Sequence, residues 1–502
     1  MKKIVEKRKV NIVTTFINRI ITTVCGIIVP RVLIGSFGSE MYGITVSITQ
    51  FLSYISLLES GIGGVARGEL YEPLAKGDKQ QIGLVYYSIK RFFRYVAAIF
   101  ICYAMIIGIS YKSFAHVTEY SRIYIFVLAM VISISTLVKY MGGLANLILI
   151  VADQKQYINN AILIFTTIVN TLSIIVLVWL KCDIIWVKLG SSLIFVIRPL
   201  LYTLYVRKHY NLTFEDKKAV LEQKWTGIGQ HIAFFLHTNT DIVLLTLFAD
   251  IKLIAVYSVY NLIISSIRAM TESFTGGMEA AFGEAIAKKQ AKKLQYLYKR
   301  YNTLLVAVTM VLFSCTGILI VPFVKLYTSG IEDVNYIEPA FALVLLFAEA
   351  INCLVLPYSS LPIAANRLRE TKWGAYGEAV INIVVSCILV GKVPLFGVTI
   401  GTLMATIFRG IFYMCYSTKH ILKISTKKVL FDFAAVIVIM CITILIGRKF
   451  IALVEIESYF KWTIYGVVTF AVIGAPVGVI ALFKMKRIKE LADTKEEWQG
   501  SI

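Results

Sequence analysis

Apolar residues in this chain gather in long, nearly unbroken runs, separated by short stretches where lysine, arginine and glycine collect. Runs of roughly 18 to 25 residues are what an α-helix needs to cross about 30 Å of hydrocarbon. No period-two alternation runs through them, which excludes a transmembrane β-barrel. The pattern predicts an all-α polytopic membrane protein with fourteen spans, near 11–36, 42–66, 93–111, 122–151, 157–180, 184–206, 226–250, 253–285, 302–327, 337–362, 372–391, 395–417, 429–453 and 460–483.

Composition agrees with the pattern. Over 502 residues the chain is 58% apolar and 16% charged, with a mean hydropathy of +0.75, far too apolar for a water-soluble chain of this length. The net charge of +21 would suggest a nucleic-acid partner in a soluble protein. Here the basic residues fall in alternate loops, so the charge records topology and no nucleic-acid partner is expected. Lys76, Lys79, Lys90, Arg91 and Arg94 follow the second span; Arg207, Lys208, Lys217, Lys218 and Lys224 follow the sixth. Lys288, Lys289, Lys292 and Lys293, then Arg367, Arg369 and Lys372, then Lys419, Lys423, Lys427 and Lys428 continue the series. The ninth loop, by contrast, is acidic, with Glu332, Asp333 and Glu338. The positive-inside rule puts both termini in the cytoplasm. The first apolar run, behind Lys2, Lys3, Lys7, Arg8 and Lys9, is too long for a cleaved signal peptide and reads as an uncleaved span.

Several chemistries are excluded or disfavoured. No GxxxxGK[ST] sequence occurs, so ATP hydrolysis is not expected. The eight cysteines form no CxxC pair, which indicates neither zinc nor a disulfide framework. Outward loops are short and the five histidines do not cluster, which counts against a polysaccharide polymerase or acyltransferase. The chain reads as a non-enzyme without a resident cofactor, leaving a coupling Na+ or H+ as the small ion to look for.

The chain also repeats itself. Glu59-Ser60-x-x-Gly63-Gly64 returns as Glu272-Ser273-x-x-Gly276-Gly277, and Asn170-x-x-Ser173 as Asn382-x-x-x-Ser386. Gly190, Arg198, Tyr202, Tyr205, Lys208 and His209 align at one fixed offset with Gly401, Arg409, Tyr413, Tyr416, Lys419 and His420. Both copies carry basic residues on the cytoplasmic side, so the halves insert the same way up, as a parallel repeat. The organisation expected is a cytoplasmic segment at 1–10, an N-lobe at 11–210, an inter-lobe loop at 211–225, a C-lobe at 226–420, an extra helix pair at 421–483 and a tail at 484–502.

Six plus six helices with a final pair resembles the multidrug/oligosaccharidyl-lipid/polysaccharide exporter superfamily. Phe37-Gly38-Ser39-Glu40-Met41-Tyr42-Gly43, Leu57-Leu58-Glu59-Ser60-Gly61-Ile62-Gly63, Lys76-Gly77-Asp78 and Glu378-Ala379-Val380-Ile381-Asn382-Ile383-Val384-Val385-Ser386 look like its polysaccharide transporter branch, the lipid-linked oligosaccharide flippases. The resemblance covers most of residues 10–420. It implies a V-shaped pair of lobes with alternating access in a bacterial cytoplasmic membrane. The implied substrate is a polyprenyl-pyrophosphate-linked oligosaccharide for surface polysaccharide, handled by a single chain working beside polysaccharide assembly partners. It also implies arginines on the first, second and eighth spans, which favours Arg19 and Arg268.

Within that frame the intramembrane charges are the candidate site. Arg19 lies roughly 12 Å into span one; it suits a pyrophosphate, or snorkels to the interface. Arg268 and Glu272 have i, i+4 spacing for an ion pair in span eight. Glu59 lacks a local partner, and Lys139, midway along span four, is a candidate to meet it. These five form the expected substrate-binding set. His237 and Asp241 share a face of span seven and form the expected ion-coupling pair, or a merely satisfied polar one. Arg198 and Arg409 read as snorkelling arginines. The rival of the same fold is an ion-coupled multidrug exporter, which would be expected to place a carboxylate on span one; here no Asp or Glu lies in that span before Glu40.

Overall fold

The computed structural model describes residues 2–59, 62–115, 117–210, 212, 228–275 and 277–493. Among these residues the regular structure is entirely helical. Twelve helical stretches are long and apolar enough to cross a membrane, and the protein is a multi-pass membrane protein. Helices suit that environment because each satisfies its backbone hydrogen bonds within itself.

The chain forms two compact units, Met1–Phe235 with Leu245–Ala255, and Leu236–Leu244 with Val256–Ile502. The first begins with α1 (Lys2–Ser53), two helices joined at Gly38, whose φ of 78° and ψ of 168° leave the helical region. That bend falls where the sequence separates spans one and two, and the left-handed φ explains a glycine there. Helix α2 (Ser56–Glu59) and α3 (Ile62–Lys76) follow. The predicted second span, 42–66, is therefore not one helix: regular structure stops at Ser53 and resumes at Ser56. Gly77, with φ of 69°, closes α3, and Asp78 caps α4 (Lys79–Phe114) by accepting from the Gln80 and Gln81 amides. One tripeptide thus ends a helix and starts the next.

Helix α5 (Arg122–Val138) passes through a π-helical turn at Lys139–Gly143 into α6 (Leu144–Ala152). Helices α7 (Gln156–Trp179) and α8 (Ile184–His209) form a hairpin, with α7 against α1 and α8 against α5. Near the basic loops, Asn11 donates to the Gln154 carbonyl at 2.9 Å and accepts from the Tyr157 amide at 2.8 Å, tying α1 to the α6–α7 turn. In that turn burial works against the Lys155 ammonium, but the Asp153 carboxylate outweighs it and holds its pKa above the usual lysine value. Tyr210 donates to the same carboxylate.

Helix α9 (Ile228–Phe248) contributes to both units. Then come α10 (Lys252–Ser273) and α11 (Met278–Ala287), with Gly277 in the left-handed region ahead of α11. The predicted eighth span, 253–285, is broken there, so the second copy of the Glu-Ser-x-x-Gly-Gly motif falls where a helix ends and another begins. Helices α12 (Ala291–Tyr327), α13 (Pro339–Ala364), α14 (Leu368–Val390) and α15 (Pro394–Ser417) complete the second repeat. Its core gathers Met278, Phe282, Leu305, Ile351, Tyr358 and Met414.

Helices α16 (Thr426–Ala452) and α17 (Tyr459–Asp493) pack on α12. Phe431, Phe460, Val467, Val472, Ile480 and Phe483 on these two helices are exposed. Such a belt would drive aggregation in water; here hydrocarbon is its solvent.

Candidate functional site

The repeat predicts that matched residues occupy matched places, and the two late hairpins bear this out locally. A Cβ on Gly190 would sit 2.8 Å from Leu177 Cδ1 and 3.5 Å from Ser173 Oγ. One on Gly401 would sit 2.0 Å from Ser386 Oγ and 2.9 Å from the Asn382 carbonyl. In both hairpins the glycine of the second helix lets it approach the serine face of the first.

The charged residues expected to be functional sit in three groups. In the first unit, Lys139 Nζ lies 3.3 Å from Glu59 Oε2, with side chains 44% and 27% exposed. The ammonium opens the π-helical turn at Lys139–Gly143, an irregularity that is a frequent setting for functional groups. The partnership expected from sequence is present. Arg19, earlier in the same unit, is exposed and forms no ion pair or hydrogen bond among the described residues.

In the second unit, Arg268 Nε reaches Glu272 Oε1 at 2.7 Å, the expected i, i+4 pair. Its Nη1 also reaches Glu349 Oε2 on α13 at 3.0 Å, and Asn352 Nδ2 donates to that same oxygen at 3.1 Å. One guanidinium thus serves two carboxylates, and the cluster is negative overall. Sequence spacing could not reveal Glu349, since it arrives from another helix.

The third group surrounds Asp241, 5% exposed. Tyr257 donates to Oδ2 at 2.9 Å. Thr402 Oγ1 stands 3.2 Å from each carboxylate oxygen and accepts from Asn382 Nδ2 at 2.9 Å. Asn382 Oδ1 is buried with no hydrogen-bond partner among the described residues. A carboxylate held by hydroxyls, with no described cation beside it and an orphaned amide oxygen nearby, is a set of oxygen donors suited to a small hard cation or a proton. The side chain of His237, the expected companion of Asp241, lies outside the described residues. No group of three or more His, Cys, Asp or Glu suited to a metal ion occurs among the described residues. Tyr257, Asn382 and Thr402 were not singled out for this site by sequence, although Asn382 belongs to a repeated motif and Thr402 follows the repeated Gly401.

Arg198 and Arg409 do not snorkel. Arg409 Nη1 pairs with Glu378 Oε1 at 3.1 Å, the carboxylate being 2% exposed. Arg198 Nε donates to Thr166 Oγ1 at 2.6 Å and Nη2 to Thr167 Oγ1 at 3.2 Å, and its guanidinium stacks 4.3 Å from the Phe195 ring centroid. Neighbouring-helix acceptors override the pull of the interface in both.

No family model and no curated protein matches the chain. Among solved structures it is similar to the lipid II flippase MurJ in an inward closed conformation, with a TM-score of 0.69 and 13% identity, covering 94% of this chain and 98% of that one. It is also similar to the MATE multidrug transporter DinF-BH, with a TM-score of 0.60 and 14% identity over 84% of this chain and 96% of that one. An inward-facing MATE family transporter of the MOP superfamily gives 0.58 and 13% identity over 81% and 96%. The chain has the fold of the multidrug/oligosaccharidyl-lipid/polysaccharide exporter superfamily.

Proposed function

We propose that this chain is a transporter of that superfamily, a flippase that carries a polyprenyl-pyrophosphate-linked oligosaccharide across a bacterial cytoplasmic membrane by alternating access, for surface polysaccharide. A sugar head group cannot cross hydrocarbon unaided, whereas its lipid tail can remain there. The observation that carries the reading is Arg19, an exposed guanidinium without a described partner in the first apolar span. A guanidinium fork is well matched to phosphate oxygens. Arg268 is committed to Glu272 and Glu349, so the phosphates fall first to Arg19, with Lys139 and its loosely held partner Glu59 as neighbours of the sugar path.

Transport against equilibrium needs a bias, because a ligand with equal affinity for two states shifts neither. Asp241 with Tyr257, Thr402 and Asn382 supplies a place for a coupling Na+ or H+. Export of polymer to the cell surface tests the assignment: Arg19→Ala is expected to reduce it at least tenfold with normal protein level, and undiminished export sinks the role of Arg19. In proteoliposomes, Asp241→Asn is expected to abolish stimulation by an imposed Na+ or pH gradient. Stimulation equal to the unsubstituted protein removes Asp241 from coupling.

A further inference from the structure

The first unit contains a cavity of about 330 Å3 bounded by α5, the π-helical turn, α6, α7 and α8, whose polar lining includes Ser135, Thr136, Lys139, Asn159, Arg198 and Tyr202. Two cations from different helices open into it. Lys139 shares its charge with Glu59, but at 3.3 to 3.5 Å the contacts are long, and a pair this exposed is weakly held. Arg198 has no carboxylate among the described residues; two threonine hydroxyls and an aromatic face hold it. Asn159 accepts from Tyr202 at 2.6 Å, and its amide nitrogen donates to no described residue. The polar lining is rich in donors and carries an excess positive charge.

The second half of the repeat solves the same problem differently. Arg409 corresponds to Arg198, and at that offset Glu378 falls on Thr167, next to the Thr166 on which the Asn170–Asn382 match places it; both threonines touch Arg198. Each residue touches its arginine: Glu378 neutralises Arg409, and Thr167 merely orients Arg198. An uncompensated guanidinium within an apolar bundle is costly and persists where something uses it. A fully structural arginine needs the carboxylate, as the other half illustrates.

We propose that this cavity is an anion-binding site inside the first unit, separate from Arg19, in which Arg198 and Lys139 take a phosphate or carboxylate group with Asn159 as a neutral donor. Its volume is near the lower bound of about 300 Å3 for ligand pockets, so it admits one charged group or one sugar ring and excludes an oligosaccharide. The source of the anion rests on the flippase reading above: it is the pyrophosphate of the lipid carrier or the carboxylate of an acidic sugar.

The test is binding to the purified full chain in lipid nanodiscs, with inorganic pyrophosphate, glucuronate and neutral glucose as probes, followed by calorimetry. Pyrophosphate or glucuronate is expected to bind and glucose not, and the preferred anion identifies the source. Arg198→Met and Lys139→Ala should each weaken binding at least tenfold. Thr167→Glu is the decisive variant, since it copies the Arg409–Glu378 pair, should leave the melting temperature unchanged or raised, and should still abolish binding. Absence of anion binding, or unchanged binding in both Thr167→Glu and Arg198→Met, overturns the proposal. Failure of the flippase reading is seen separately: anion binding lost in these variants, together with undiminished surface polymer in cells lacking the chain altogether, leaves the cavity standing and removes the flippase assignment.

Discussion

Charge pairs in this protein differ in how strongly they hold the fold, and exposure ranks them. The Glu378 carboxylate is 2% exposed and its Arg409 partner 23%, so removing the arginine strands a buried charge. Loss of one partner of such a pair costs about 3 to 5 kcal/mol, whereas replacing both by apolar residues is often neutral. Arg409→Leu is therefore expected to lower the melting temperature sharply, and Arg409→Leu with Glu378→Leu to recover most of the loss, measured on purified protein in detergent. A double variant no better than the single one rejects this account. Lys139 and Glu59 stand at the other end: half-exposed, they hold little structure in place and remain free to engage a ligand. At this scale, sequence spacing found the Arg268–Glu272 pair because helical geometry places i and i+4 together. It suggested Glu59 for Lys139, 80 residues away, only because so few carboxylates lie in apolar runs. It misread Arg198 and Arg409, since burial by a neighbouring helix leaves no local signal.

Among the elements, the close hairpins and the broken helices define the working parts. The α14–α15 hairpin leaves no room at Gly401, where a methyl group would meet backbone and a serine hydroxyl, at distances down to 2.0 Å. At Gly190 the nearest obstacle is the end of a leucine side chain at 2.8 Å. Overpacking against backbone costs about 1 to 3 kcal/mol, while a flexible side chain can give way. Gly401→Ala is thus expected to lower thermal stability clearly and Gly190→Ala only slightly; equal effects would show that the hairpins share one tolerance. The breaks after Ser53 and before Gly277 interrupt helices that the apolar pattern runs straight through. Interrupted helices leave polar backbone groups free, which a bilayer tolerates only where protein or a polar path surrounds them. Sequence marked the second of these places by a carboxylate beside small residues, without saying that the helix stops.

For the molecule as a whole, the distribution of lysine and arginine orients the insertion. Reporter fusions provide the check: alkaline phosphatase is expected to be active when fused after Asp333, in the acidic ninth loop, and inactive after Lys289 or Lys423, with a fluorescent protein giving the reverse. Activity after Lys289 would invert the topology and with it the direction of transport proposed above. The arrangement of charge also differs between the units. The first places an uncompensated Arg198 in its cavity, whereas the second neutralises Arg409 and surrounds Arg268 with two carboxylates. Repeated backbone with unrepeated charge is how a duplicated fold can assign different tasks to its halves.

The amino-acid sequence by itself determined that the chain is all-helical, crosses the membrane many times and is built from a duplicated unit. Long apolar runs must satisfy their backbone groups internally, and each run settles that question alone. Only the tertiary structure decided which charges are free. Asp241 meets Thr402 across 161 positions, Arg268 meets Glu349 across 81, and Arg198 finds hydroxyls where its counterpart finds a carboxylate. Those partnerships depend on which helix faces pack together. Apolar runs constrain those faces weakly, because in a bilayer the outside of a helix is as apolar as its packed side.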